Sequence, residues 1–411
     1  MPANKQRPPF RAEHMGSLLR PANLTAKRVQ LDNAKALEIA QDKELHEIED
    51  QSIKDIVKLQ LDLNYHALND GEYRRHQFWG TFFPNLEGFE EIQNPSWDMF
   101  RMYVPDIAAF NSYSNKRASA ESGHKPGETI VCTGKIKHKG SSYLHDWLYL
   151  KGLVPPERVK ELKITLAAPE WYHLRYKDGK AYPKDVYAND AEYFADIAVA
   201  YRTELQILYD NGCRNVTIDD PNLAYFCSEK MLTGFKENGE DVDALFDSYL
   251  KLYNDCIASR PADLHVGIHL CRGNFANSRH FSEGGYDRIA TKLFNEIDID
   301  TYFLEYDTER AGTFEPLKEL PPHKNVVLGV ITSKFSQLED LAQMRERVFA
   351  AADVIAQGAG QTREEALQRI GVSPQCGFAS HHLGNAITWD DMVAKLKLVR
   401  QLADSIWPGE P

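Results

Sequence analysis

The feature that most constrains this chain is an alternation. Short, continuous apolar runs are separated by long segments in which apolar residues return every third or fourth position. The runs are YHALND (65–70), TIVCTGKI (129–136), LKITLAAP (162–169), RNVTIDD (214–220), LHVGIHLC (264–271), TYFLEYD (301–307), NVVLGVITS (325–333) and SPQCGF (373–378). Continuous rather than alternating hydrophobicity suits parallel strands covered on both faces. The segments 31–61, 188–211, 241–257, 338–357 and 390–404 read as helices. In 188–211, Phe194, Ile197, Ala198, Tyr201, Leu205 and Leu208 form one stripe, and Asn211-Gly212 supplies residues that tolerate a helix C-terminus. About eight strand-then-helix units predict a (β/α)8 TIM barrel rather than an open sheet. Segment 76–128, rich in Phe, Trp, Pro and Asn, breaks the pattern and is expected to be a loop insertion over one end of the barrel. No linker interrupts the rest, so residues 1–411 are expected to form one domain.

Composition narrows the function classes. With 411 residues, 43% of them hydrophobic, the chain can bury a large core. A net charge of −12 argues against a nucleic-acid partner, which needs clustered Lys and Arg. No apolar run approaches a membrane span, and the N-terminal MPANKQRPPFRAEH lacks the apolar stretch of a secretion signal. A cytoplasmic location follows as the expectation. In such a compartment the six cysteines, Cys132, Cys213, Cys227, Cys256, Cys271 and Cys376, are expected as buried thiols, metal ligands or catalytic groups rather than a disulfide framework. Oligomeric state is left open, a homo-oligomer included.

In a parallel barrel, chemistry sits at the C-terminal ends of the strands. Polar residues collect there: EHMGS (13–17), NDGEYRR (69–75), IDDPN (218–222), HLCRGN (269–274), FLEYD (303–307), VITSK (330–334) and QCGF (375–378). Burying such groups is costly unless they are paired or ligated. His269 and Cys271 are two residues apart on a strand, so both side chains point to one face. Alone, such a pair is more often core packing than a metal site. Glu305 and Cys376, at the ends of two other strands, complete a nitrogen, oxygen and two-sulfur set that suits tetrahedral zinc. Glu72 lies between Asp70 and two arginines, where a salt-bridged turn is the plain alternative. Asp219 and Asp220 precede Pro221, where turn chemistry is the alternative and a grip on a substrate ammonium is the functional reading.

Taken together, HMGS, DGEYRR, IDDPN, HLC, FLEYD and SPQCGF, in this order over residues 10–380, resemble the catalytic half of cobalamin-independent methionine synthase and its short single-domain relatives. The resemblance implies a (β/α)8 barrel with one catalytic zinc held by His269, Cys271, Glu305 and Cys376. It implies that Ser17 and the Met15 backbone hold the carboxylate of the amino-acid substrate, while Glu72 and Asp219 hold its ammonium. The implied reaction moves a methyl group from 5-methyltetrahydrofolate, polyglutamylated or not, to homocysteine. Asp220, Ser333 and Lys334 stand as candidate catalytic residues. Trp171 and Arg272 stand as candidate donor contacts, although a structural aromatic is the plainer reading of Trp171 and a surface arginine an equally ordinary one of Arg272.

The chain departs from the family in three places. It has no room for the second barrel of the long synthases, so folate capture would fall to this barrel and its insertion. Thr332, Ser333 and Lys334 stand where the family keeps a histidine. The segment after Cys271, RGNF through GGYDRI, is longer and more basic. These departures keep three alternatives open: zinc-thiolate alkyl transfer with another thiol or another donor, such as an epoxide or a methoxylated compound; a metal-free decarboxylase barrel of the uroporphyrinogen type; and a non-catalytic zinc-binding protein.

Overall fold

The computed structural model describes residues 7–31, 34–93, 95–117, 129–275 and 278–411. Residues 118–128 of the expected insertion lie outside the described residues. The rest of that segment supplies the helix Pro105–Arg117 and the strand β1 (Leu86–Ile92), which pairs antiparallel with β2 (Thr129–His138). This corrects one expectation, because 129–136 is not a barrel strand. Its opening residues are apolar, which mimics a doubly covered strand. Beyond Cys132, however, Thr133, Lys135 and Lys137 turn to solvent while Ile136 stays buried. Only one face is covered, as in an antiparallel hairpin.

Six strands form one parallel sheet in chain order: β3 (Ile164–Ala167), β4 (Asn215–Asp220), β5 (His265–Leu270), β6 (Thr301–Glu305), β7 (Asn325–Ile331) and β8 (Ile370–Pro374). Every residue of all six is buried. The remaining two barrel positions are single parallel bridges, Ala12 with Val372 and Leu68 with Leu162. Around the first, Glu13 N–H donates to Val372 O and Val372 N–H to Arg11 O. Around the second, Leu68 N–H donates to Glu161 O and Lys163 N–H to Leu68 O. Side chains tie these two positions together. His14 Nε2 lies 3.0 Å from Ala67 O, and Asn69 Nδ2 lies 3.2 Å from His14 Nδ1. The ring is thus a (β/α)8 barrel whose first strand is the Ala12 segment. The last strand ends at Pro374, which places Gln375 and Cys376 on its exit rather than within it.

The helix expected over 31–61 is split into Ala36–Ile39 and Lys43–Asp62, and the other expected helices are present as Asp190–Asp210, Val242–Ile257, Leu341–Ala359 and Trp389–Ile406. Asn189, Asp340 and Thr388 each cap a helix start by accepting from a backbone N–H three residues on. The stripe read from 188–211 is buried, and its Tyr201 hydroxyl donates to Ala167 O of β3 at 2.9 Å. Among the described residues, no helix is long and apolar enough to cross a membrane.

Candidate functional site

The strand ends converge on one buried cluster. His269 is the second-last residue of β5 and Cys271 follows its end, so both turn inward. Glu305 closes β6, and Cys376 sits on the exit of β8. All four side chains are buried, and one ligand atom from each lies within 4.8 Å of the others. The Sγ atoms of Cys271 and Cys376 are 3.3 Å apart and unbridged.

Neighbouring groups aim these atoms. His269 Nδ1 lies 3.1 Å from Phe303 O. A carbonyl only accepts, so Nδ1 carries the proton and Nε2 faces the cluster, the arrangement that metal-bound histidines use. No well-formed hydrogen bond reaches Nε2, although it is buried. Glu305 accepts from Arg272 N–H at 2.8 Å through Oε1 and from Arg310 at 3.0 Å through Oε2. Gly273 N–H donates to Cys271 Sγ at 3.2 Å.

The charges are those of a cation site. The Cys271 thiol directed at Cys376 lowers the latter to about 5, against the effect of burial and with help from His269. Cys271 correspondingly rises far above its usual range, through that contact and through burial. Burial pushes His269 down, but Cys376, Asp219 and Glu305 outweigh it and raise the imidazole to about 9. Burial pushes Glu305 up, but Arg310, His269 and Lys334 prevail and keep its carboxylate ionised. The donor set, its negative charge and the bare Nε2 all fit a zinc ion.

A second group of acids borders this cluster. Burial raises both Glu72 and Asp219. Glu72 Oε1 accepts from Thr165 Oγ1 and lies 3.4 Å from Arg75, while its Oε2 is buried without a partner. Asp219 Oδ1 is likewise buried without a partner. Glu72 also takes a φ of 59°, a conformation that costs a non-glycine residue of order 1 kcal/mol and is tolerated where function needs it. The loop after the first strand closes on these acids. Gly16, at φ 116°, brings its backbone so near that an added Cβ would lie 2.8 Å from Glu72 Oε1. Ser17 O accepts from Phe378 N–H at 2.8 Å, and its hydroxyl occupies the space a Cβ on Gly377 would need. Met15 packs in the barrel interior with Phe303 and Val327. Ser17 and the Met15 backbone therefore lie beside Cys376 and Glu72.

Asp220 points away from this pocket. Its Oδ1 accepts from Asn222 and Leu223 N–H, and its Oδ2 from Tyr253 on the outer helix Val242–Ile257. Ser333 and Lys334 hold the loops that carry the cysteines. Ser333 Oγ donates to Gly377 O at 2.8 Å. Lys334 Nζ donates to Asn274 Oδ1 at 2.8 Å and to Gly273 O at 3.2 Å. Arg272 lies buried over the Tyr286 ring at 4.4 Å, so it is not a surface arginine. Trp171 stacks on Trp79 at 4.9 Å and meets Phe78 edge-on, with the Arg175 guanidinium 3.4 Å from its ring centroid. The expected salt-bridged turn is present, with Arg75 beside Glu72; sequence reasoning missed Thr165, which also holds Glu72, and Asn274, which donates to Gly377 O at 2.7 Å. It also passed over His76, His381 and His382, although the doublet at 381–382 was visible.

The catalytic-domain model of the cobalamin-independent synthases matches residues 181–405. YxjG of Bacillus subtilis, itself uncharacterized, is 34% identical over 98% of this chain and 96% of its own. Methionine synthase of Pyrococcus furiosus is 21% identical over 80% of this chain and 75% of its own. A solved protein of Listeria monocytogenes superposes with a TM-score of 0.67 at 29% identity, over 98% of this chain and 99% of that one. With more than half of its length inside the family model and a full-length relative above 30% identity, the chain belongs to the cobalamin-independent synthase catalytic-domain family.

Proposed function

We propose that this protein is a zinc-dependent S-methyltransferase that moves a methyl group from 5-methyltetrahydrofolate to homocysteine, giving methionine and tetrahydrofolate. One observation carries the reading. Four buried ligand atoms within 4.8 Å, one of them a bare imidazole nitrogen, sit beside two carboxyls with unpartnered oxygens. That pairing suits a substrate with both a thiol and an ammonium. Family membership supports methyl transfer without cobalamin.

Zinc held by His269, Cys271, Glu305 and Cys376 would keep the homocysteine sulfur as a thiolate, where a free thiol of pKa ~8.5 is mostly protonated at neutral pH. The chain's own residues do the rest. Glu72 and Asp219 receive the ammonium, which supplies the partner that Glu72 Oε2 and Asp219 Oδ1 lack. Ser17 and the Met15 backbone receive the carboxylate. Ser333, Lys334 and Asn274 hold the two cysteine loops together, so that the substrate sulfur meets a fixed site. The four ligand side chains are buried, and a site that excludes water favours attack on carbon over solvation of the thiolate.

The test is methionine formation from homocysteine and the mono- and polyglutamyl methylfolates, with zinc-loaded protein. Turnover that Cys376→Ser abolishes supports the reading; homocysteine binding with no methionine from any methylfolate defeats it. A second reading keeps the thiol and changes the donor. It is favoured by Ser333 and Lys334, which stand where a proton donor is expected but are engaged in holding loops. An epoxide or methoxylated donor replacing methylfolate in the same assay would select it.

A further inference from the structure

The exits of β3 and β4 bury two acids that face each other. Glu170 lies three residues beyond β3 and Asp220 ends β4, and both are fully buried. The ladder between these strands stops at Ala167 and Asp219. Beyond it, side chains join the two exits. Asn222 Nδ2 donates to Glu170 O at 3.4 Å and to Trp171 O at 3.5 Å. The carboxyls of Glu170 and Asp220 meet in a hydrogen bond. Asp219 and Asp220 are successive strand residues, so their side chains take opposite faces. Asp220 turns to Tyr253 on the outer helix Val242–Ile257, and Asp219 to the barrel interior, where its Oδ1 is buried without a partner.

Two carboxylates cannot hydrogen-bond each other, so one of the pair holds a proton. The bonding pattern places it on Glu170. Asp220 Oδ1 accepts from Asn222 N–H at 2.6 Å and from Leu223 N–H at 3.1 Å, and Oδ2 accepts from Tyr253 at 2.6 Å. With Glu170 as a fourth donor, the lone-pair sites of an ionised carboxylate are filled. Glu170 has no such set: among the described residues, neither of its oxygens accepts a well-formed hydrogen bond. The groups that face it are engaged elsewhere. Tyr201 donates to Ala167 O, Tyr249 meets His173, and Arg175 is spent on Trp171 O, Asn222 and Asp106. Burial keeps Tyr201, Tyr249, Tyr253 and Cys256 uncharged. A bare carboxylate in that setting is costly. Burial, and then the Asp220 charge, accordingly raise Glu170 far above the usual carboxylate range.

Resting on the reading of Asp219 as one grip on the substrate ammonium, we propose that Glu170 is a positioning residue of the amino-acid site. As a neutral acid it donates to Asp220, locks the exit of β4 where the ladder has ended, and so holds the Asp219 carboxyl toward the substrate. Asp220 then acts through its strand neighbour and not on the reacting groups. A neutral donor suits the place. A buried Lys or Arg there would oppose the negative potential that draws an ammonium to Asp219. A protonated acid fixes Asp220 and leaves that potential intact, while its bond to a charged acceptor is stronger than one between neutral groups.

The test compares Glu170→Gln and Glu170→Leu with the zinc-loaded parent, reading zinc content, homocysteine affinity and urea unfolding from pH 5 to 8. Gln keeps a neutral donor, and its homocysteine affinity is expected within about twofold of the parent's. Leu removes the donor, and its affinity is expected to fall about tenfold or more with zinc retained. Unfolding gives a second, independent reading. The unfolded chain releases the Glu170 proton above about pH 4.3, while the folded chain keeps it. Folding of the parent therefore takes up a proton that folding of Glu170→Gln does not. The folded-to-unfolded ratio of the parent should fall relative to that of Glu170→Gln by about tenfold for each pH unit. If Glu170→Leu misfolds, the Gln comparison decides. Equal pH slopes for parent and Gln overturn the neutral acid. A Gln variant that binds homocysteine as poorly as Leu, or a Leu variant that binds it as well as the parent, overturns the positioning role. So does loss of zinc in step with affinity, which marks a general structural role. A parent that binds no homocysteine, with the unequal slopes present, overturns the ammonium grip and the positioning role with it, and leaves the proton on Glu170 established.

Discussion

At His269 the informative contact is on the side of the ring away from the cluster, where Nδ1 is spent on Phe303 O and Nε2 is left bare. This is what turns a His-x-Cys pair, ambiguous in sequence, into half of a chelate. Glu305 and Cys376 were legible through the resemblance. Thr165 was not, because it meets Glu72 only in space, across a sequence separation of 93 residues, whereas the salt-bridged turn with Arg75, three residues on, was readable. Two predictions belong here. Metal binding requires deprotonated ligands, and Cys271 and His269 both hold protons at neutral pH. Zinc uptake should therefore release protons and tighten as pH rises toward about 9; calorimetry in buffers of different ionisation enthalpy measures this, and uptake without proton release would contradict it. Glu72→Gln removes a charged partner of the substrate ammonium, worth about 1.5–3 kcal/mol. It should weaken homocysteine binding roughly 10- to 100-fold and leave zinc content unchanged, as read by titration and metal analysis; equal loss of both would contradict its role.

Among the elements, the doubly buried strands β3 to β7 are readable because their apolar runs are unbroken, whereas the run expected at 373–378 overlaps β8 only at Ser373 and Pro374. The Ala12 strand shows in the sequence only through the polar EHMGS at its end, since a single bridge flanked by Arg11 and Glu13 leaves no apolar run. The hairpin strand β2 reads as a barrel strand from sequence alone, because its polar alternation starts only after Cys132. The strand exits matter most, and the exit of β8 is the tightest. There a Cβ on Gly377 would lie 1.8 Å from Ser17 Oγ and 3.1 Å from Ser17 O. Gly377→Ala should push the Ser17 loop off Cys376 at a cost of about 1–3 kcal/mol. The expected result is a raised KM for homocysteine with the fold intact by circular dichroism; unchanged kinetics would show that the loop yields harmlessly.

For the whole molecule, the weak point of the barrel is its seam, where the first two strands are single bridges. Lys163 reaches across it, donating to Glu13 Oε2 and to His14 O, both at 2.5 Å and both buried. Burial pushes Glu13 up and Lys163 pulls it back. Glu13→Ala leaves the ammonium buried without its counter-ion and should cost about 3–5 kcal/mol, visible as a lower urea midpoint; an unchanged midpoint would mean that the bridges alone hold the seam. The same seam carries Met15, Ser17 and Glu72 to the metal ligands, so the architecture and the proposed chemistry share it. The most direct measurement of the central claim is methionine production by the zinc-loaded protein from homocysteine and 5-methyltetrahydrofolate, run beside the Cys271→Ser and Cys376→Ser variants. The account predicts turnover by the parent and none by either variant, each of which also loses zinc. Turnover that survives in both variants, or a zinc-loaded parent that makes no methionine, would contradict it.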